Sequence, residues 1–161
     1  MDPRASALIE TLALVPHAEG GFFREVFRSA ALVTTAASGT PRSAVTSIYY
    51  LLPAGQVSRF HRITSDEIWH FLEGDPLELH TLDPSSLSLR TVLLGPVSGS
   101  TVPIHVVPAN HWQAALPGGA FTLASCTVGP GFEYDDFVLL AEDAILRTTV
   151  RERFPGLAAL L

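Results

Sequence analysis

One cysteine, Cys126, occurs in the whole chain, which excludes an intrachain disulfide and a cysteine-based zinc cluster. In a reducing compartment such a residue needs no special role, and buried packing is its plain reading. Long apolar runs are missing too: no stretch approaches the roughly 20 apolar residues of a membrane-spanning helix. The first residues lack a basic segment leading into an apolar core and cleavage signal, so a soluble, cytoplasmic protein without a membrane partner is expected. Positive charge is scarce and scattered, with 10 Lys and Arg against 16 Asp and Glu and a formal charge of −6. No basic block answers the phosphate backbone of DNA or RNA, and no nucleic-acid partner is expected. A Gly-rich phosphate loop, a Cys-x-x-Cys pair and a His-Glu-x-x-His signature are likewise absent.

What remains is a chain of 161 residues with 47% hydrophobic content, enough to bury the core of one domain spanning 1–161. Asp2 before Pro3 can cap a short helix whose apolar face is Leu8, Ile9 and Leu12, and Pro16 makes its continuation costly. Beyond Gly20-Gly21, residues 22–27 have strand character, while 29–43, rich in Ala, Thr, Ser and Gly, read as a loop. From Val45 onward short β-like runs follow one another at 45–52, 57–63, 67–73, 77–82, 87–94, 101–107, 111–116, 120–127 and about 136–140. Turn formers such as Pro53-Ala-Gly55, Gly74-Asp-Pro76 and Pro117-Gly-Gly119 separate them. So many strands need a sandwich or a closed barrel, and a small barrel removes exposed edges while leaving room for a ligand. Residues 141–153 predict a terminal helix, acidic at its start and arginine-rich toward its end, as the helix dipole favours.

The stretch from Gly55 to Gly74 carries the most chemistry. On a strand over 57–63, His61 and Ile63 share a face, and on the next strand so do Glu67, Trp69 and Phe71. That sets an imidazole and a carboxylate beside an aromatic wall, suited to proton transfer or to a polar, partly apolar ligand. His61 and Glu67 are therefore candidate catalytic groups, with mutual satisfaction inside a barrel as the alternative. Trp69 either stacks on a ligand ring or fills the core. His70, at odd spacing from Glu67, turns away from the pocket on a regular strand. Arg24 and Arg59 are candidate carboxylate or phosphate binders, Arg59 by its parity with His61 and Arg24 with a salt bridge as its alternative role. Phe132 and Tyr134, in the late Gly129–Asp136 segment, either contact a ligand as part of a lid or anchor that loop.

At this point the sequence resembles the cupin superfamily, and within it the cupin_5 (DUF985) family. The first cupin signature, G-x5-H-x-H-x3-E-x6-G, meets Gly55, His61, Glu67 and Gly74 in register, with Ile63 at its second histidine. The second, P-x-G-x2-H-x3-N, falls on Pro108 to Pro117, with Asn110 at its glycine and Gln113 at its metal-binding histidine. The narrower resemblance covers almost the whole chain, including the blocks Leu14–Glu25, Ser65–His70, Val107–Ala115 and Cys126–Phe137.

The resemblance implies an all-β double-stranded β-helix, a jelly-roll barrel with its core at 45–140 and short N- and C-terminal helices. It also implies a homodimer. A typical cupin metal cage uses three imidazoles and a carboxylate, whereas His61, Ile63, Glu67 and Gln113 offer two good ligands, so no metal or other cofactor is expected. His111, about 7 Å from Gln113 along a strand, replaces a missing imidazole only if the barrel shifts or bulges there. Otherwise His111 and Gln113 are ligand-binding candidates, Gln113 orienting a hydroxyl or carbonyl. The expected partner is a small polar or anionic metabolite. The reading that follows is a metal-independent sugar or sugar-nucleotide isomerase or epimerase; a non-catalytic binder of an anionic metabolite and a metal-dependent oxygenase are the alternatives.

Overall fold

The computed structural model describes residues 1–34 and 39–161. In chain order its elements are α1 (Pro3–Thr11), β1 (Val15–Pro16), β2 (Phe22–Arg28), β3 (Leu32–Thr34), β4 (Pro41–Ser43), β5 (Thr46–Pro53), β6 (Ser58–Arg62) and β7 (Asp66–Gly74). There follow β8 (Leu77–Leu82), β9 (Leu89–Leu94), β10 (Ile104–Val107), β11 (Trp112–Pro117), β12 (Phe121–Gly129), β13 (Val138–Leu139) and α2 (Ala144–Arg153). Short strands ending at Gly, Pro or Asp are what the turn chemistry of the sequence dictates.

Two antiparallel sheets face each other as a jelly roll. The first runs β1-β2-β5-β12-β7-β10 and the second β13-β6-β11-β8-β9, while β3 and β4 pair only with one another. Between the sheets pack Tyr50, Leu52, Trp69, Leu79, Ala124 and Cys126, alternate residues of their strands. Both sheets are also covered on the outside. Helix α1 seals the first against Leu51, Phe121 and Leu123, and α2 with the C-terminal turn seals the second against Phe60, Leu82 and Trp112. Strands such as Ile48–Leu52 are consequently apolar at nearly every position, because neither face meets water.

Both helices start where side-chain caps allow. The Asp2 carboxylate accepts from the Arg4 and Ala5 amides, and Asp143 accepts from the Leu146 amide, so α2 begins three residues after the expected position, behind a 3-10 turn at Leu140–Glu142. Residues 22–28 pair with β5, so strand pairing begins ahead of the expected 45–140 core. The stretch 29–43 was expected as a loop, yet its ends pair as β3 and β4; residues 35–38 lie outside the described residues.

Single-residue bulges set which side chains enter the barrel. In β6, His61 faces Gln113 but Ser58 faces Ala115, so one extra residue sits between them and both Ser58 and His61 turn inward. In β2 the register shifts between Glu25 and Phe27, which turns Glu25 and Arg28 to the same interior.

The turn entering β2 is the tightest point of the fold. Gly20 has φ +118°, and a Cβ there would come within 2.0 Å of the Val57 carbonyl oxygen. Gly20→Ala is therefore expected to cost roughly 2–3 kcal/mol, read as a lower urea midpoint.

Candidate functional site

A cavity opens between the two sheets, with about 630 Å3 of space free of protein atoms when its open mouth and the adjoining solvent are counted. The first sheet supplies Phe23, Glu25 and Arg28 from β2, Ile48 and Tyr50 from β5, Glu67 and Trp69 from β7, and Cys126 from β12. The second supplies His61, with Ile63 just beyond β6. His17 and Glu19 enter from the turn before β2, and Phe132, Tyr134 and Phe137 close over the mouth.

Glu19 is the charged centre of this cavity, although it stands in a loop. Its Oε2 lies 3.1 Å from Nε2 of His61, and its Oε1 accepts from the Ser58 hydroxyl at 2.8 Å. Nδ1 of His17 is 3.4 Å both from Oε2 and from the Glu19 amide nitrogen, so one tautomer donates to the carboxylate and the other accepts from the amide. Burial pushes the Glu19 carboxyl up, but the facing His61, His17 and the Ser58 hydroxyl outweigh it and bring it from 4.5 down to about 2. The loop is fixed from several sides. Arg59 donates to the carbonyls of Ala18 and Glu19, the Tyr50 hydroxyl to that of Gly20, and the Gly21 amide to Oε1 of Gln56.

His61 has an acceptor at each ring nitrogen: Glu19 at Nε2 and its own strand's Arg59 carbonyl, 2.8 Å from Nδ1. Phe137 stacks on it with centroids 5.3 Å apart and planes at 27°. Glu67, also buried, stands apart from this pair. Its Oε2 accepts from Nε2 of Gln113, whose Oε1 accepts from the Trp69 indole N–H at 2.9 Å. The indole can only donate, so this chain fixes which way the Gln113 amide points. Burial raises the Glu67 pKa and the ionised Glu19 raises it further, against the opposing pull of His61, Gln113 and Cys126. Two carboxylates in one cavity are thus driven apart, one held ionised and the other toward its protonated form.

Phe132 and Tyr134 do line the mouth, edge to face at 5.0 Å, and the segment carrying them is tied down by Arg42 on Asp136 and by the Phe132 amide on the Thr46 hydroxyl. Four other candidates stand elsewhere. Arg24 points to the outer side of β2 and donates to the Leu12 carbonyl, so the arginine of the cavity is Arg28. Arg59 loses the parity argued for it because it occupies the β6 bulge, and it braces the Glu19 loop instead. Gln113 is 1% exposed, its amide is engaged by Trp69 and Glu67, and it does not line the cavity. His111 lies in a separate depression, with no bulge carrying it toward Gln113. His70 turns away, as its spacing implied. His17, Glu19, Glu25, Arg28, Tyr50 and Phe137 were not singled out as site residues. The one local signal for the first two is the Gly20-Gly21 pair after them, which marks a turn but not its direction.

A family model described as Cupin superfamily (DUF985) matches residues 6–140. The chain belongs to this cupin family. It is 35% identical to a hypothetical protein from Leishmania major, covering 97% of this chain and 95% of that one with a TM-score of 0.81. A Shewanella oneidensis protein is 33% identical over 98% and 96%, with a TM-score of 0.85. Oxalate decarboxylase from Lactobacillus farciminis shares the fold alone, at 13% identity and a TM-score of 0.58, over 90% of this chain and 39% of that one. No curated protein matches the chain.

The side chains at the usual cupin metal positions do not fit a transition ion. Ile63 has no lone pair, the Gln113 oxygen is engaged by Trp69, and both nitrogens of His61 face oxygen acceptors. Among the described residues no group of three or more His, Cys, Asp or Glu side chains is disposed to hold a metal.

The two carboxylates give opposite dependences on pH. The Glu19 value is depressed, so its stabilisation is present above about 4.5 and is lost as pH falls through about 2. Glu19→Gln should cost about 3–5 kcal/mol at neutral pH, with the gap to wild type closing in acid. The Glu67 value is raised, so its contribution is present in acid and is lost as pH rises through that raised value. Glu67→Gln should accordingly raise the urea midpoint at pH 7–8 and lose that advantage below about pH 4.5. Urea titrations of the three proteins from pH 3 to 8 check both signs.

Proposed function

We propose that this cupin binds a small, hydroxyl-rich metabolite and isomerises or epimerises it without a metal, with Glu67 as the group that gives or takes the proton. The observation that carries this reading is the pairing, in one aromatic-walled cavity, of a carboxyl group pushed toward protonation with a carboxylate fixed as an ion by His61. In this reading Glu19, held in place by His61 and Ser58, accepts a hydrogen bond from a substrate hydroxyl and so orients the substrate, while Glu67 exchanges a proton with the adjacent carbon or hydroxyl.

The charges of the lining favour a sugar over a sugar nucleotide. Glu19, Glu25 and Glu67 present carboxylates, and the guanidinium of Arg28 is already forked onto Glu25 at 3.0 and 2.9 Å and bound to Glu133 at 2.9 Å. A hydroxyl donor finds acceptors there, whereas a phosphate would have to displace an existing ion pair. The same observation weighs against the non-catalytic binder of an anion in this cavity. The poor donor set weighs against the oxygenase.

A metabolite binding screen on chelator-treated protein, with stereochemical analysis of the products, tests the proposal. Glu67→Gln should retain ligand binding and lose turnover by ~10²–10⁴-fold. Binding without product in the wild type would replace the isomerase by a binding module, and activity restored only by one particular metal ion would overturn the metal-free reading.

We also propose a homodimer, supported by the exposed apolar Val26, Phe27, Leu32 and Val33 around the end of β2 and β3. Light scattering after size exclusion should give twice the chain mass, and Phe27→Glu should shift it toward the monomer.

A further inference from the structure

A second depression lies away from the sugar cavity, where the edge strands of the two sheets, β9 and β10, approach one another. At one end the seam is closed by a parallel bridge between Leu94 and Val102. Toward the other end it is open, and Thr81, Arg90, His105 and His111 line it together with Asp83 and Ser88.

The register explains how these side chains meet. Across the second sheet His61 pairs with Gln113, Gln113 with Thr81, and Thr81 with Arg90, so one row of inward-facing residues crosses from the first cavity to the seam. In the first sheet His105 stands directly opposite Trp69 and shares its inward face. In that row Gln113 stands between His61 on one side and Thr81 and Arg90 on the other.

Three features of this second group point to a ligand. The hydroxyl of Thr81, a residue 7% exposed, is buried without a hydrogen-bond partner among the described residues, which is costly for a polar group. Arg90 makes no ion pair or hydrogen bond among the described residues, although its charge reaches His105. Nδ1 of His111 faces the Ala109 carbonyl at 3.3 Å, so its other ring nitrogen is uncommitted among the described residues. Among the described residues Asp83 is the one carboxylate of the lining, and its Oδ1 accepts from the Ser85 amide and hydroxyl and from the Ser86 amide, so it stands as an ion bound to its own turn and Arg90 supplies the opposite charge. A guanidinium, two imidazoles and a hydroxyl around one depression are the donor set for oxygens carrying negative charge, and Arg90 repels a cation from the same place.

We propose that this seam is a binding site for a small oxyanion, a phosphate or carboxylate group, gripped by Arg90 and by the His105 and His111 rings with the Thr81 hydroxyl as an inner donor. The site is distinct from the cavity proposed to hold the sugar, and it does not depend on that proposal.

Imidazole ring spectra of the full chain, titrated with inorganic phosphate and separately with acetate at ionic strength held constant by chloride, test it. The signals of His105 and His111 should move together and saturate with at least one of the two, and His61 should keep its position. The ratio of the two affinities tells which group the site accepts. Arg90→Gln should weaken binding ~10-fold or more, and Thr81→Val, which keeps the side-chain shape, by ~5-fold. Arg90 is exposed at a sheet edge, so its substitution leaves the core untouched. The proposal is overturned by shifts that never saturate, by equal affinity in both variants and the wild type, by His61 titrating with the same midpoint, or by Zn2+ moving the two rings at lower concentration than either anion.

Discussion

A carboxylate taken out of water costs several kcal/mol unless its charge is met, and Glu19 is met by His61, His17 and the Ser58 hydroxyl. Much of the surrounding structure follows from that requirement. The carboxylate reaches the barrel interior from a loop, so the loop must run tightly against the sheets, and only glycine allows the approach of Gly20 to the Val57 carbonyl. Arg59, Tyr50 and Gln56 then supply hydrogen bonds for backbone groups that the turn leaves without strand partners. His61 takes its orientation from this ion, and Phe137 lies on the ring so oriented.

The strands were legible in the sequence because their causes are local. Turn formers cut the chain into short runs, and the ends of β5, β7, β8, β11 and β12 fall within a residue or two of the apolar segments that announce them. The pairing of His61 and Glu67 within one cavity was legible from the same alternation and the signature spacing. What alternation could not reveal was a bulge. One extra residue in β6 moved Arg59 out and kept Ser58 in, and one in β2 brought Arg28 inward where plain alternation would have put Phe27. His17 and Glu19 were illegible for a different reason: a loop has no period, and its direction is fixed only by distant groups such as Tyr50 and Arg59. Gln113 was placed on the correct face, but its role depended on finding Trp69 and Glu67 at its two ends.

The same polar side chains explain how this barrel departs from the usual cupin centre. Where a metal cage needs convergent lone pairs, the chain has an apolar Ile63, an amide engaged at both ends and an imidazole set between two acceptors. Electrostatic organisation is achieved with side-chain charges of both signs, and aromatic rings from the 132–137 segment limit the water that would screen them.

Gln113 has a mechanical meaning as well as an electrostatic one. It belongs to β11 of the second sheet, yet its amide accepts from Trp69 and donates to Glu67, both on β7 of the first. Apolar packing between two sheets is non-directional, whereas these two bonds hold only at one relative position of the strands. Sliding one sheet along the other by a residue would break both at once, so a single amide acts as a rivet between the two halves of the jelly roll.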